Sequence, residues 1–227
     1  MDIFKRVTKA LATPIRFSVE SGHFWSALLG KSVDSSRRPI PMLTYPALDA
    51  LDLIDLSDLS LLEWGTGQSS IYFSSRVKSL VGVESSPEWA GYVRKRTPDN
   101  TSIRVCSDRS SLEKIGKKII GYRFDIVLID GKPYSKGSRM EAAEITLDLN
   151  DTPKLVIVDN SDLPECDSVV GAFQNEGFLR ADFVGYSPGA YYKQCTSFFF
   201  KPKNAQWALG NNMPVQECSP YSKKINH

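Results

Sequence analysis

Histidine is nearly missing from this chain: His23 and His227 are the only two in 227 residues. Cysteine is sparse, and Cys106, Cys166, Cys195 and Cys218 include no Cys-x-x-Cys pair. That spacing argues against a zinc site and points to reduced thiols, as in a cytoplasmic protein. No apolar run is long enough to span a bilayer, and the N-terminus lacks a secretory apolar region. Neither a transmembrane segment nor export by signal peptide is therefore expected. A strong charge of one sign is missing as well. The net charge is +2, which gives no electrostatic case for a nucleic-acid partner.

What is present is the composition of a globular protein, 41% hydrophobic and 24% charged, in a chain long enough for one domain with a sizeable core. Residues 1–45 read as an N-terminal helical accessory segment. In it Phe4, Val7 and Leu11 recur at helical spacing, with Lys5, Arg6 and Lys9 between them. Such a helix either binds a surface through its basic face or packs on its own domain or a partner. A polar stretch at 32–41 reads as a loop, and Tyr45-Pro46 opens a helix through Leu51 and Ile54.

From there to residue 202 the chain alternates. Strands are expected at 59–63, 79–83, 102–106, 124–129, 154–158, 180–185 and 195–201, and helices at 68–76, 86–96, 109–116, 137–148 and 166–176. Alternation predicts an α/β fold: a Rossmann-like, seven-stranded, mostly parallel sheet with helices on both faces. The last two strands are joined by Gly185–Ala190, too short for a crossover, so the final strand is expected to be antiparallel. Residues 203–227, rich in Asn, Pro, Ser and Lys, read as a flexible C-terminal tail.

The segment Leu61–Ser70 carries the clearest chemistry. An apolar run ends in Glu63, then come Trp64, Gly65, Thr66 and Gly67, then small polar residues that open a helix. A second apolar run, Leu80–Val83, ends in Glu84. Strand, acid, Gly-x-Gly, helix, strand, acid describes one βαβ unit with a nucleotide-sized site at its carboxyl edge. Glu84 is placed to accept both hydroxyls of a ribose. An acid just before the glycines suits a ligand with a cationic end, and Ser70 stands where a third glycine would complete a dinucleotide fingerprint. Both features favour S-adenosylmethionine over NAD.

Ligands of open parallel sheets bind beyond the carboxyl ends of the strands. Five expected strands end in acids there: Glu63, Glu84, Asp108 (after Ser107), Asp130 and Asp159. Such a cluster needs cations or donors to offset its repulsion. A solvated loop explains any one of these acids alone. The pocket walls would come from Tyr45, Trp64, Tyr134, Tyr186, Tyr191 and Tyr192.

Over residues 45–201 the chain resembles class I S-adenosylmethionine-dependent methyltransferases. The resemblance implies that Glu63, Trp64, Gly65, Thr66, Gly67 and Ser69 form the motif holding the cofactor's amino-acid end. It further implies that Glu84 binds the ribose and that Ser107, Asp108 and Asp130 lie along the rest of the cofactor. There is also similarity to catechol and caffeoyl-CoA O-methyltransferases, which place an Asp after the fourth strand and Asp-Asn after the fifth. That likeness implies a Mg²⁺ site at Asp130, Asp159 and Asn160. Asp130, Lys132 or Asp159 would deprotonate a small-molecule acceptor, most simply at oxygen. Pro39–Ala47, Asp159–Asp162 and Gly185–Gly189 are similar to motifs of a bacterial methyltransferase-like set. Amino-group methylases of nucleic acids carry a double proline after the fourth strand, whereas this chain has Asp130-Gly131-Lys132-Pro133-Tyr134. The alternatives are an NAD(P)-binding oxidoreductase and a methyltransferase-like binding protein without turnover. A homodimer is a further option.

Overall fold

A computed structural model of the chain describes residues 3–131 and 138–209. Its core is a seven-stranded sheet made of β1 (Ser60–Trp64), β2 (Ser79–Glu84), β3 (Thr101–Val105), β4 (Ile126–Ile129), β5 (Leu155–Val158), β6 (Leu179–Tyr186) and β7 (Lys193–Phe200). The strand order is β3-β2-β1-β4-β5-β7-β6. β1 to β5 are parallel, while β7 runs antiparallel to both β5 and β6. The strands and helices expected from residue 59 on lie within two residues of those observed, close to the ordinary uncertainty of element ends, except that the helix expected at 109–116 runs to Ile119. The final strand is antiparallel, as the short Gly185–Ala190 connection requires.

β4 and β5 are continuous apolar runs, Ile126-Val-Leu-Ile and Leu155-Val-Ile-Val, and every residue in them is buried. Burial on both faces is what a central parallel strand demands. Alternate side chains divide between two cores. Leu61, Ile126, Leu128 and Ile157 face α3 (Tyr45–Leu51), α4 (Gln68–Ser74) and α5 (Pro87–Arg94). Leu62, Trp64, Val127 and Val158 face α6 (Arg109–Ile119), α7 (Ser138–Leu147) and α8 (Asp167–Asn175).

β1 lies between β2 and β4, so chain order reverses at its β4 side. At such a switch point the loops leaving two neighbouring strands diverge and open a crevice. Because β6 is parallel to β5 through β7, the β6–β7 loop joins the same edge.

The N-terminal segment contributes α1 (Ile3–Glu20) and α2 (His23–Leu29). It is anchored late, where the Thr44 amide donates to Thr196 Oγ1 on β7. No residue of α1 is buried, and its contact with the domain is at its C-terminal end, where Phe17 meets Tyr45. At the other end the chain stays in the fold past 203: α9 (Ala205–Leu209) seats Ala208, fully buried, in the core.

Candidate functional site

The loop after β1 is organised around Glu63. Its side chain points to the same face as Leu61, toward α4, and is fully buried. The hydroxyl of Ser70 donates to Glu63 Oε2 at 2.5 Å, and that of Ser69 donates to Oε1. Ser70 Oγ also accepts from the Gly67 amide at 3.0 Å. This explains the departure from a third glycine: at position 70 a hydroxyl ties the buried acid to the loop, which glycine cannot do. Gly65 has φ +90°, and a Cβ there would stand 2.3 Å from Gly131 Cα. The β1 and β4 loops therefore meet backbone to backbone at the switch point. Gly67 differs. Its φ is 178° and a Cβ would find nothing nearer than 3.9 Å. No neighbour among the described residues requires that bare face, which leaves it open to a ligand.

Glu84 ends β2 beside this loop. Its Oε2 accepts from the Thr66 amide and Thr66 Oγ1, both at 3.0 Å, and its Oε1 accepts from the Ser86 amide at 2.9 Å and Ser85 Oγ at 3.2 Å. The two amides fix the carboxylate, while the two hydroxyls can rotate away. Trp89 covers the loop from α5, donating from Nε1 to the Thr66 carbonyl at 2.7 Å and stacking on Tyr92 at 4.8 Å.

At the ends of β4 and β5, buried Arg139 of α7 donates to the Asp130 carbonyl and, at 3.0 Å, to the Asp159 carbonyl. One guanidinium thus clamps two strand ends. The Asp159 side chain is buried and accepts from Thr196 Oγ1 at 2.7 Å. Asn160 takes a left-handed backbone (φ 51°) and donates from Nδ2 to Gln194 Oε1 at 2.8 Å. Of the expected Mg²⁺ ligands, Asp159 Oδ1 and Asn160 Nδ2 are each engaged by a β7 partner. Among the described residues no three His, Cys, Asp or Glu side chains group as metal ligands.

Burial pushes Glu63 up to about 8, partly opposed by its two serine hydroxyls and reinforced by Asp130 and Glu84. Burial raises Asp130, opposed by Arg139 and reinforced by Glu84. Asp159 is pushed up to about 8, first by burial and then by Asp130. These carboxyls feel one another across a single edge: in the ligand-free protein Glu63 and Asp159 hold protons, and a bound cation would favour their ionised forms.

A stability prediction arises here. Between its ordinary 4.5 and about 8, Glu63 keeps its proton when folded and loses it when unfolded. The folded state then binds more protons, so stability falls as pH rises through that window, and Asp159 acts in the same direction. The ligand-free protein should lose about 1 kcal/mol or more between about pH 5 and 8, or about 2–4 °C in Tm per kcal/mol. Glu63→Gln should flatten the slope. Thermal unfolding monitored by circular dichroism across that range checks it, and a Tm that climbs steadily to pH 8 would contradict it.

Other expected residues fall as follows. Trp64 sits in the core rather than on a pocket wall: it is fully buried and donates from Nε1 to Thr146 Oγ1 at 3.1 Å. Its backbone belongs to the loop, where its carbonyl accepts from the Gly131 amide at 2.7 Å. Asp108 follows Ser107 and caps α6, accepting from the Ser111 amide at 2.7 Å. Tyr45 is buried, whereas Tyr186, Tyr191 and Tyr192 are exposed. Lys132 and Tyr134 lie outside the described residues.

Sequence reasoning missed Arg139, Trp89, Thr196 and His23. His23 stands at the β6–β7 loop, where its Nδ1 accepts from the Gly189 amide at 3.3 Å and lies 3.4 Å from the Tyr45 hydroxyl. Trp89 and Tyr92, three apart in the helix after the ribose acid, were the one local signal available.

No protein-family model matches the sequence, and no curated protein is similar to it. Solved structures do match. The O-methyltransferase from Bacillus cereus, in complex with SAH, is 17% identical with a TM-score of 0.53, covering 81% of this chain and 91% of that one. Precorrin 8w decarboxylase from Methanobacterium thermoautotrophicum is 15% identical with a TM-score of 0.51, covering 74% and 95%. Precorrin-6y C5,15-methyltransferase from Geobacter metallireducens is 17% identical with a TM-score of 0.50, covering 68% and 85%. At these identities the likeness is one of fold, and the chain has the Rossmann-like fold of S-adenosylmethionine-dependent methyltransferases.

Proposed function

We propose that this protein is an S-adenosylmethionine-dependent methyltransferase acting on a small-molecule acceptor at oxygen. The observation that carries the proposal is the cluster of acids at the β1–β4 switch point, where Asp130 and Glu84 act on Glu63 and Asp130 acts on Asp159, beside a loop whose Gly67 is unobstructed among the described residues. Pyrophosphate would meet repulsion there. A sulfonium and an ammonium would meet attraction.

When bound, S-adenosylmethionine supplies an electrophilic methyl group. The chain's own residues bind and align. Gly67 admits close approach, and Glu84 accepts the ribose hydroxyls in exchange for those of Thr66 and Ser85. Half-buried Asp130, with its raised proton affinity, takes the acceptor's hydroxyl proton. Asp159 is turned inward to Thr196, so its role is to support that edge. Most of the rate gain comes from holding the two reactants in line.

Calorimetric titration with S-adenosylmethionine, S-adenosylhomocysteine and NADH tests the assignment. Micromolar-range binding of the first two and none of NADH is the expected result. NADH binding alone would favour the oxidoreductase reading. Cofactor binding without S-adenosylhomocysteine production across hydroxyl-bearing acceptors would favour a binding protein without turnover.

A further inference from the structure

α1 is the feature the cofactor site leaves unexplained. It is 18 residues long, and none is buried. Phe4, Val7, Leu11, Ile15 and Val19 recur three or four residues apart and so share one face. They are strongly exposed, Leu11 at 70% and Ile15 at 69%. A monomer that leaves a continuous apolar face this long in water has a surface in need of a partner. The opposite face carries Lys5, Arg6, Lys9 and Arg16. The acid of the helix, Glu20 at its end, is paired to Arg16 at 2.8 Å. Thr8 and Thr13 turn their hydroxyls onto the carbonyls of Phe4 and Lys9, both at 2.9 Å, which lowers their polarity.

We propose that α1 is an in-plane membrane anchor that docks this protein on an anionic lipid surface. The charge pattern selects that occupant. An interfacial helix sinks its apolar face to the level of the headgroups while flanking Lys and Arg meet lipid phosphates. A second copy of α1 fits less well, because it would cover the apolar face and leave the basic face of Lys5, Arg6 and Lys9 without an acid partner among residues 3–19. Spanning is a different matter: no helix among the described residues is long and apolar enough to cross a membrane. The helix is held to the domain at its C-terminal end, where Phe17 packs edge-on against Tyr45 at 5.3 Å. Beyond that contact the helix, none of whose residues is buried, can lay its apolar face along a surface. The anchor is independent of which cofactor the domain binds.

The test is sedimentation of the full-length protein with vesicles of phosphatidylcholine, or of equimolar phosphatidylcholine and phosphatidylglycerol, at low and high salt. Pelleting with the anionic vesicles should exceed that with the neutral ones by about tenfold and weaken in high salt. The double variants Val7→Glu/Leu11→Glu and Lys5→Glu/Lys9→Glu should each reduce it about tenfold or more. Both should keep the wild-type Tm, since no residue of α1 is buried. Failure to pellet with anionic vesicles overturns the proposal, as does pelleting that both variants leave unchanged. A dimer in sedimentation velocity that Val7→Glu/Leu11→Glu dissolves, with no vesicle binding, would assign the face to a second copy.

Discussion

Glu84→Ala should weaken binding of S-adenosylhomocysteine about 100-fold while leaving a folded protein. The reasoning runs through the four donors that meet this carboxylate. The amides of Thr66 and Ser86 hold it over the Gly65–Gly67 turn, and the hydroxyls of Thr66 and Ser85 occupy the remaining acceptor positions. A ribose diol replaces two hydroxyls with two hydroxyls, so the exchange costs little and retains charge-assisted hydrogen bonds. Hydrogen bonds to a charged acceptor contribute about 1.5–3 kcal/mol each, and about 2.7 kcal/mol corresponds to 100-fold in affinity. The variant also strands the amides of Thr66 and Ser86, at a cost of about 1–3 kcal/mol each to stability. Glu84→Gln keeps an acceptor for one of the two amides, sets its NH2 against the other, and loses the charge. Its Tm should fall less than that of Glu84→Ala while affinity falls about tenfold. Calorimetry on both variants, with thermal unfolding alongside, is the measurement. Equal affinity in wild type and Glu84→Ala would remove Glu84 from the cofactor site and with it the main support for the ribose assignment.

The parts of this site that could be read in the sequence are those fixed by local rules. Ile126–Ile129 and Leu155–Val158 announce buried strands by being apolar without interruption. Glu63 and Glu84 announce strand ends because each closes an apolar run. The parts that could not be read depend on partners far along the chain. Asp159 reads locally as an acid beside Asn160, and nothing near it tells that Thr196, brought in by the antiparallel β7, donates to it. Nothing in the local sequence around Arg139 says that its guanidinium will join the ends of β4 and β5. Trp64 is a different kind of miss. Alternation along β1 puts it on the same side as Leu62, facing α6 to α8, and Glu63 on the other. Its position inside the glycine motif suggested a pocket wall, yet strand periodicity alone assigns it to the core. For α1 the pattern was legible and the environment was not, since periodicity reveals an apolar face without revealing what covers it.

The two glycines of the motif should respond to the same substitution in opposite ways. Gly65→Ala should destabilise the protein by about 4 kcal/mol or more, lowering Tm by about 10 °C, or prevent folding outright. At φ +90° any side chain is strained, and the new Cβ would lie 2.3 Å from Gly131 Cα and 2.4 Å from Gly131 N. Both are backbone atoms, so no rotamer change relieves the clash. Relief would require parting the β1 and β4 loops, which the Trp64 carbonyl ties together through the amides of Asp130 and Gly131 at 3.1 and 2.7 Å. Gly67→Ala meets none of this. Its φ of 178° suits any residue, and its nearest prospective neighbour, Trp89 Nε1, is 3.9 Å away. Tm should change by less than about 1 kcal/mol equivalent, or rise slightly as the unfolded chain loses freedom. The methyl group would nevertheless stand where the cofactor is expected to approach the backbone, so affinity for S-adenosylhomocysteine should fall about tenfold or more. Paired thermal unfolding and calorimetry on the two variants distinguish a glycine needed by the protein from one needed by its ligand. If Gly67→Ala bound the cofactor as tightly as wild type, the bare face of Gly67 would be no cradle, and the cofactor would have to lie elsewhere along the carboxylate edge.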